Sequence, residues 1–134
     1  MILVDAGPLI AIMSTNDQHH VACTTALKRI NRPMGTVWPV LSEAIHLLSG
    51  VPKAQDAIWE MLIENAVQLL PLGLSDVPRI RELMHKYSDQ PMDLADASLV
   101  RVAERENLRH FFTVDRNDFS IYRLHGRVRP VIIP

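Results

Sequence analysis

A single cysteine, Cys23, stands in the whole chain, so neither an intrachain disulfide nor a cysteine-built zinc site can form. Cys23 itself reads as a small buried apolar residue. Long hydrophobic runs are also missing. The longest charge-free stretches, Ala6 to Asn16 and Asn65 to Ser75, fall well short of the roughly 18 apolar residues that a membrane span needs. No basic segment precedes the apolar start, which Asp5 interrupts. This argues against a secretory leader or an Arg-rich transit peptide, and a cytoplasmic protein without membrane contact is expected. Aromatic residues are scarce at 5% and do not alternate with basic ones, so Trp38 and Trp59 read as packing residues rather than base-stacking platforms. Charge of one sign is absent too: 14 Lys and Arg against 15 Asp and Glu leave a net −1, which excludes a uniformly basic surface for nucleic acid. Finally, the six histidines form no His-Glu-x-x-His and Ser98 lies in no Gly-x-Ser-x-Gly, which disfavours zinc chemistry and a serine nucleophile.

What is present is an ordinary globular composition, 48% hydrophobic and 22% charged over 134 residues, enough for one domain spanning 1–134 around one core. Met1-Ile2-Leu3-Val4 is a short apolar run bounded by Asp5, Gly7 and Pro8, the pattern of a buried parallel strand ending in a turn. Further strands are expected over Gly35–Trp38, Val67–Leu72 and His110–Val114, with a last edge strand within Arg129–Pro134. Helical spacing marks Leu9–Met13, Gln18–Ile30 with a cap from Ser14 to Asp17, Pro39–Leu48, Lys53–Asn65, Ser75–Tyr87 and Met92–Asn107. Helices alternating with short apolar strands predict an α/β domain around a mainly parallel sheet.

Ligands of such sheets bind beyond the carboxyl ends of the strands. Asp5 and Asp115 each directly follow a predicted strand. Glu43 interrupts the apolar context Val40-Leu41-Ser42-Glu43-Ala44-Ile45, and Asp93 and Asp96 share the start of a helix, Asp96 among apolar neighbours. Carboxylates converging in one crevice repel each other and raise one another's pKa unless a cation sits among them. Mg²⁺ or Mn²⁺ suits oxygen donors and promotes attack of water on a phosphodiester.

These residues carry a resemblance to PIN-domain ribonucleases, especially the VapC-type toxins of toxin–antitoxin pairs. Val4-Asp5-Ala6-Gly7-Pro8-Leu9-Ile10-Ala11 is similar to the family's first-strand motif and Ser42-Glu43-Ala44-Ile45 to its helix glutamate. Leu94-Ala95-Asp96-Ala97-Ser98-Leu99 and Phe112-Thr113-Val114-Asp115-Arg116-Asn117-Asp118-Phe119 match its third and fourth acidic motifs. The order of the four acids and their spacing of 38, 53 and 19 residues make the match specific. Ala6 departs from the Ser or Thr that often follows the first Asp, which removes a hydroxyl and no ligand.

The resemblance implies a PIN-like α/β/α sandwich and a quartet of Asp5, Glu43, Asp96 and Asp115 holding one or two Mg²⁺ or Mn²⁺ ions. Asp93 and Asp118 follow as second-tier candidates, and Thr113 as a hydroxyl supporting a ligand carboxylate. It implies endonucleolytic RNA hydrolysis leaving a 5′-phosphate and a 3′-hydroxyl, with Arg116, Arg123, Arg127 and Arg129 as candidate phosphate contacts. A cognate antitoxin closing the cleft and a homodimer formed through the first-half helices are implied as well. Other functions fit less well. An aspartyl phosphatase wants a second Asp where Gly7 stands, and a phosphoacceptor domain wants paired acids after the first strand and a lysine near the last. A non-catalytic RNA- or protein-binding module on the same fold is the alternative, and it leaves several buried carboxylates without a purpose.

Overall fold

The computed structural model describes residues 1–134. Five short strands form one all-parallel sheet in the order β3-β2-β1-β4-β5: β1 is Ile2–Val4, β2 Met34–Thr36, β3 Gln68–Leu69, β4 His110–Phe112 and β5 Val131–Ile133. β1 lies at the centre, and its three side chains are almost wholly buried, as a parallel strand covered by helices on both faces requires. Seven helices flank the sheet: α1 Ala6–Met13, α2 His20–Arg29, α3 Trp38–Leu47, α4 Pro52–Ile63, α5 Val77–Lys86, α6 Leu94–Arg105 and α7 Arg116–Ile121. The architecture is the expected PIN-like α/β/α sandwich. None of its helices is long and apolar enough to cross a membrane.

Several boundaries differ from the sequence reading, each for a local reason. Helix α1 starts at Ala6 rather than Leu9. Gly7 and Pro8 occupy its first turn, where the missing proline N–H leaves no helical bond unmade. Asp5 is therefore an N-cap, its carboxylate accepting from Ala6 N at 2.8 Å. Helix α2 starts at His20 rather than Gln18, capped by His19 without a side-chain bond, while Asp17 accepts the His19 N–H. Helix α3 starts at Trp38 and takes the residue expected to end a strand; β2 stops at Thr36, whose hydroxyl donates to Val4 O at 2.9 Å.

The expected third strand shrinks to Gln68–Leu69 and the last to Val131–Ile133, while α4, α5 and α6 each end short of the predicted limits. Helix α7, between β4 and the tail, has no counterpart in the sequence reading. Trp38 and Trp59 pack on each other across α3 and α4, ring centroids 6.4 Å apart at 54°, with 55% and 37% of their surfaces still exposed.

Three features bring the sheet's central crossover into register. The ladder of β1 with β4 runs on through Asp5 N donating to Phe112 O at 2.9 Å, so the residues after the two strands stand side by side. Gly7 allows the close approach: a Cβ there would lie 2.5 Å from Val114 Cγ2. Helix α6 is clamped to the segment before it by ion pairs. Arg101 and Arg105 both reach Asp76, at 2.8 and 3.0 Å, and Arg79 grips Glu104 through Nε and Nη2 at 2.8 and 2.9 Å.

Candidate metal centre

Beyond the carboxyl ends of β1 and β4 lies a cleft of about 210 Å³ lined by Asp5, Glu43, Asp93, Asp96, Asp115 and Asp118, with Gly7 and Val114 on its wall. No lysine or arginine lines it. Each acid arrives on a different piece of structure. Asp5 follows the buried β1 and Asp115 stands beyond β4 as the N-cap of α7, its Oδ1 accepting from Asp118 N at 3.2 Å. Asp93 caps α6 and accepts from Asp96 N at 2.8 Å. Asp96 and Asp118 sit in first helical turns, where backbone N–H groups favour negative charge. Glu43 projects from α3 and is exposed at the rim.

Within this set the structure draws a finer grouping. Asp96, Asp115 and Asp118 each offer a carboxylate oxygen within 4.8 Å of the others. Asp118, ranked behind the quartet in the sequence reading, belongs to this tight group, whereas Asp5 and Glu43 face it from outside. Asp93 spends one oxygen on its helix cap.

Hydrogen bonds hold the two most buried acids. Thr113, fully buried, donates its hydroxyl to Asp5 Oδ2 at 2.9 Å and accepts Asp115 N at 3.1 Å. The Tyr122 hydroxyl donates to Asp96 Oδ2 at 2.7 Å. Tyr122 is wholly buried, packed edge-on against Tyr87 and Phe119 with ring centroids 5.1 and 5.2 Å away. Sequence reasoning missed Tyr122, which lies 26 residues from Asp96. The one signal available was that a tyrosine in a buried helix-end position needs a partner for its hydroxyl.

Charge confirms how crowded the cleft is. Burial, and then the charges of Asp5, Asp93 and Asp115, push Asp96 up to about 8 despite the Tyr122 bond that favours its ionised form. Burial also raises Asp5, against the opposing bonds from Ala6 and Thr113. Partial burial together with Asp5 and Asp93 raises Glu43, and burial with a hydrogen bond to Asp115 raises Asp118. Four carboxyls resist ionisation in one place, which is the behaviour of a site that needs a cation to become fully charged. The donors are all hard oxygens, with no sulfur and no imidazole, and this set fits Mg²⁺ or Mn²⁺ rather than zinc.

The arginines named from sequence lie around α7 and the tail. Arg116 donates to a Pro134 oxygen. Arg123 Nη1 donates to the carbonyls of Ser120, Ile121 and Tyr122 at 2.7, 3.1 and 2.8 Å, closing the end of α7. Arg127 and Arg129 are exposed, but Arg129 stands before β5, where its carbonyl accepts from Arg109 Nε at the amino ends of β4 and β5, the opposite end of the sheet from the acidic cleft.

Known proteins share this fold. The PIN domain family profile matches residues 2–124. Ribonuclease VapC26 of Mycobacterium tuberculosis is 27% identical over 136 residues, covering 99% of this chain and 100% of that protein. In three dimensions the chain is similar to VapC20 of Mycobacterium tuberculosis, described as a sarcin-ricin-loop-cleaving toxin. The TM-score is 0.80 at 16% identity, over 87% of this chain and 92% of that one. A chain of a toxin–antitoxin complex from Klebsiella pneumoniae aligns with a TM-score of 0.68 at 18% identity, over 99% of this chain and 100% of that one. At such identities the two structures speak for the fold.

Proposed function

The chain belongs to the PIN-domain family, and from that premise we propose that it is a divalent-metal-dependent endoribonuclease, the toxin of a type II toxin–antitoxin pair. The observation that carries the proposal is the convergence of six carboxylates on one cleft, three of them within 4.8 Å of one another and none paired with a cation of the protein. A module that only binds RNA gains nothing from such a cluster, which repels phosphate. Asp96, Asp115 and Asp118 would hold the ion, with Asp5 and Glu43 completing the acidic wall. Bound there, Mg²⁺ or Mn²⁺ supplies a positive field that acidifies water for attack on a phosphodiester and stabilises the departing oxygen.

The chain's own part is to keep those carboxylates in place. Thr113 and the Ala6 N–H each fix one oxygen of Asp5. Tyr122 takes Asp96 Oδ2 and leaves Oδ1 for the cleft. The Asp118 N–H orients Asp115. A carboxylate at the cleft accepts the proton of the attacking water, and hydrolysis leaves a 5′-phosphate on one fragment and a 3′-hydroxyl on the other. Arg116 and Arg123, on and after α7, are the arginines that would meet phosphates along the flank.

As a toxin, the protein acts on RNA in the cytoplasm, as a homodimer, and is silenced by a cognate antitoxin. The absence of basic residues in the cleft leaves room for an antitoxin Arg or Lys to neutralise it in place of the metal. Substituting that cation by a neutral residue should then release activity; inhibition that survives the substitution sinks this part of the reading.

Cleavage of total cellular RNA by antitoxin-free protein tests the function directly. Reactions with Mg²⁺, Mn²⁺ or excess EDTA are run beside folded Asp5→Asn and Asp96→Asn variants. Discrete fragments that require both the ion and both carboxylates are expected. A folded protein that neither binds Mn²⁺ nor cuts RNA would replace this reading with the non-catalytic binding module.

A further inference from the structure

The end of α5 and the chain that leaves α7 meet on one buried tyrosine, Tyr87. Lys86 Nζ lies over its ring, 5.3 Å from the centroid, and its hydroxyl accepts the Arg123 N–H at 3.0 Å. We propose that Lys86 and Arg123 form a phosphate clamp on Tyr87, which carries the RNA away from the acidic cleft across the end of α7 and onto the end of α5. The inference rests on the nuclease reading above. It adds Lys86, which that reading does not use, and gives the bound strand a path.

Both cations are available to an anion. The ion pairs of the chain take Arg79, Arg101 and Arg105 as their cations, and neither Lys86 nor Arg123 joins them. Asp89, the nearest acid along the chain from Lys86, pairs with neither. Arg123 spends only Nη1 on the carbonyls that end α7, which leaves Nε and Nη2 for phosphate oxygens. Lys86 is exposed, and the face of the ring beneath it favours an ammonium in that place. An RNA drawn to a cleft without a lysine or arginine of its own needs cations beside it.

Packing joins the clamp to the acidic cleft. Tyr87 stands edge-on to Tyr122 with ring centroids 5.1 Å apart, and the Tyr122 hydroxyl donates to Asp96. The chain takes an equally short route, since Pro91, just beyond Tyr87, lines the cleft. On its other side Lys86 is bounded by the turn between Leu124 and Val128, where a Cβ on Gly126 would stand 3.9 Å from Nζ. His125 and Gly126 both take left-handed backbone there, with φ of 53° and 76°. This is costly for a histidine, and buried Glu104 holds it by accepting the His125 N–H at 2.5 Å. The clamp shares no residue with the first-half helices, so a dimer formed through them leaves it open.

Cleavage kinetics on synthetic RNAs that span a mapped cut site supply the test. On a long RNA, Lys86→Ala should raise KM about fivefold with kcat largely kept, and its dependence of log KM on log salt should be shallower by about one. Lys86→Arg should restore both. Trimming the RNA from one end, down to the shortest piece still cut, should bring the KM ratio of variant to wild type close to one, because the shortened strand no longer reaches the clamp. Lys28→Ala removes an exposed charge from α2 and should match the wild type throughout.

Equal KM and equal salt dependence for Lys86→Ala and wild type on the long RNA would overturn the proposal. So would a KM ratio that stays the same on long and trimmed RNA, or a loss confined to kcat and thermal stability, since Lys86 would then only steady Tyr87. Fluorescence anisotropy with a labelled single-stranded RNA separates this proposal from the reading it rests on. If Lys86→Ala weakens binding with the shallower salt dependence while even the wild type cuts nothing, the clamp stands and the nuclease reading falls.

Discussion

At the scale of single residues, the cleft is governed by the donors that hold its acids. Tyr122 is wholly buried, and its hydroxyl holds one oxygen of Asp96, Oδ2, through a single hydrogen bond. Tyr122→Phe keeps the packing against Tyr87 and Phe119 and removes only that bond. It should weaken Mn²⁺ binding, read by calorimetry or by the free-Mn²⁺ paramagnetic signal, by about tenfold, the usual scale for losing a partner of a metal ligand. An unchanged affinity would show that Asp96 is oriented by its helix alone. Tyr122 was invisible in sequence, because the hydrogen bond joins two motifs whose approach depends on the whole sheet. Asp5 and Asp96 were legible for the opposite reason: each interrupts an apolar run, and local pattern is enough to mark an acid that cannot simply face water.

Among the elements, two contacts set the cleft's geometry. The first is the passage of α1 beneath the end of β4, where Gly7 leaves no room for a methyl group. Gly7→Ala would have to displace Val114, a stiff side chain next to Asp115, and should lower stability by about 1–3 kcal/mol in urea unfolding. The second is the clamp on α6. Glu104 is buried and receives Arg79 through two hydrogen bonds. Glu104→Gln leaves Arg79 with only the exposed Glu82 as a charge partner and weakens the bonds from Arg79 and the His125 N–H, so it should cost about 1–3 kcal/mol, measured the same way. A loss below ~1 kcal/mol in either variant would mean that the element relaxes freely.

The elements also mark where pattern reading reaches its limit. Strand β1 and helix α6 announced themselves through an apolar run and an apolar stripe. Helix α7 did not, since its six residues bury only Phe119 and show no period. Trp38 packs on Trp59 as its sequence context suggested, but the 55% of it that stays exposed was not legible, since exposure is a fact of the assembled fold. The ion pairs of Asp76 and Glu104 span 25 to 29 residues, and nothing in the spacing of charges singles them out from ordinary surface groups.

For the whole molecule, two sets of carboxyls pull stability in opposite directions with pH. The Gly73 N–H, Arg101 and Arg105 hold Asp76 below the usual range; burial opposes ionisation of Glu104, but Arg79 and the His125 N–H outweigh it. Their stabilisation is complete above the unfolded-state pKa near 4 and is lost as pH falls through their lowered values. Asp5, Glu43, Asp96 and Asp118 are raised instead. The folded protein binds more protons there than the unfolded chain, so without a divalent ion stability declines as pH climbs from about 4 to the Asp96 value of about 8. In EDTA, Tm should therefore fall between pH 5 and pH 8, less steeply in Asp96→Asn. Mn²⁺ should restore Tm, with a larger gain at pH 8. A flat metal-free profile in the wild type would contradict the crowding of charge in the cleft.

The strand order carries one more consequence. Because β1 sits between β2 and β4, β1 waits through more than a hundred residues of synthesis before its neighbour on that side exists. Asp5 emerges early, but Thr113, Asp115, Asp118 and Tyr122 are all translated after residue 112. A growing chain thus has neither an assembled cleft nor a complete sheet until residues 110–133 have been added. A chain cut before Asp115 would carry β1 and Asp5 without the carboxylates of Asp115 and Asp118 that face them.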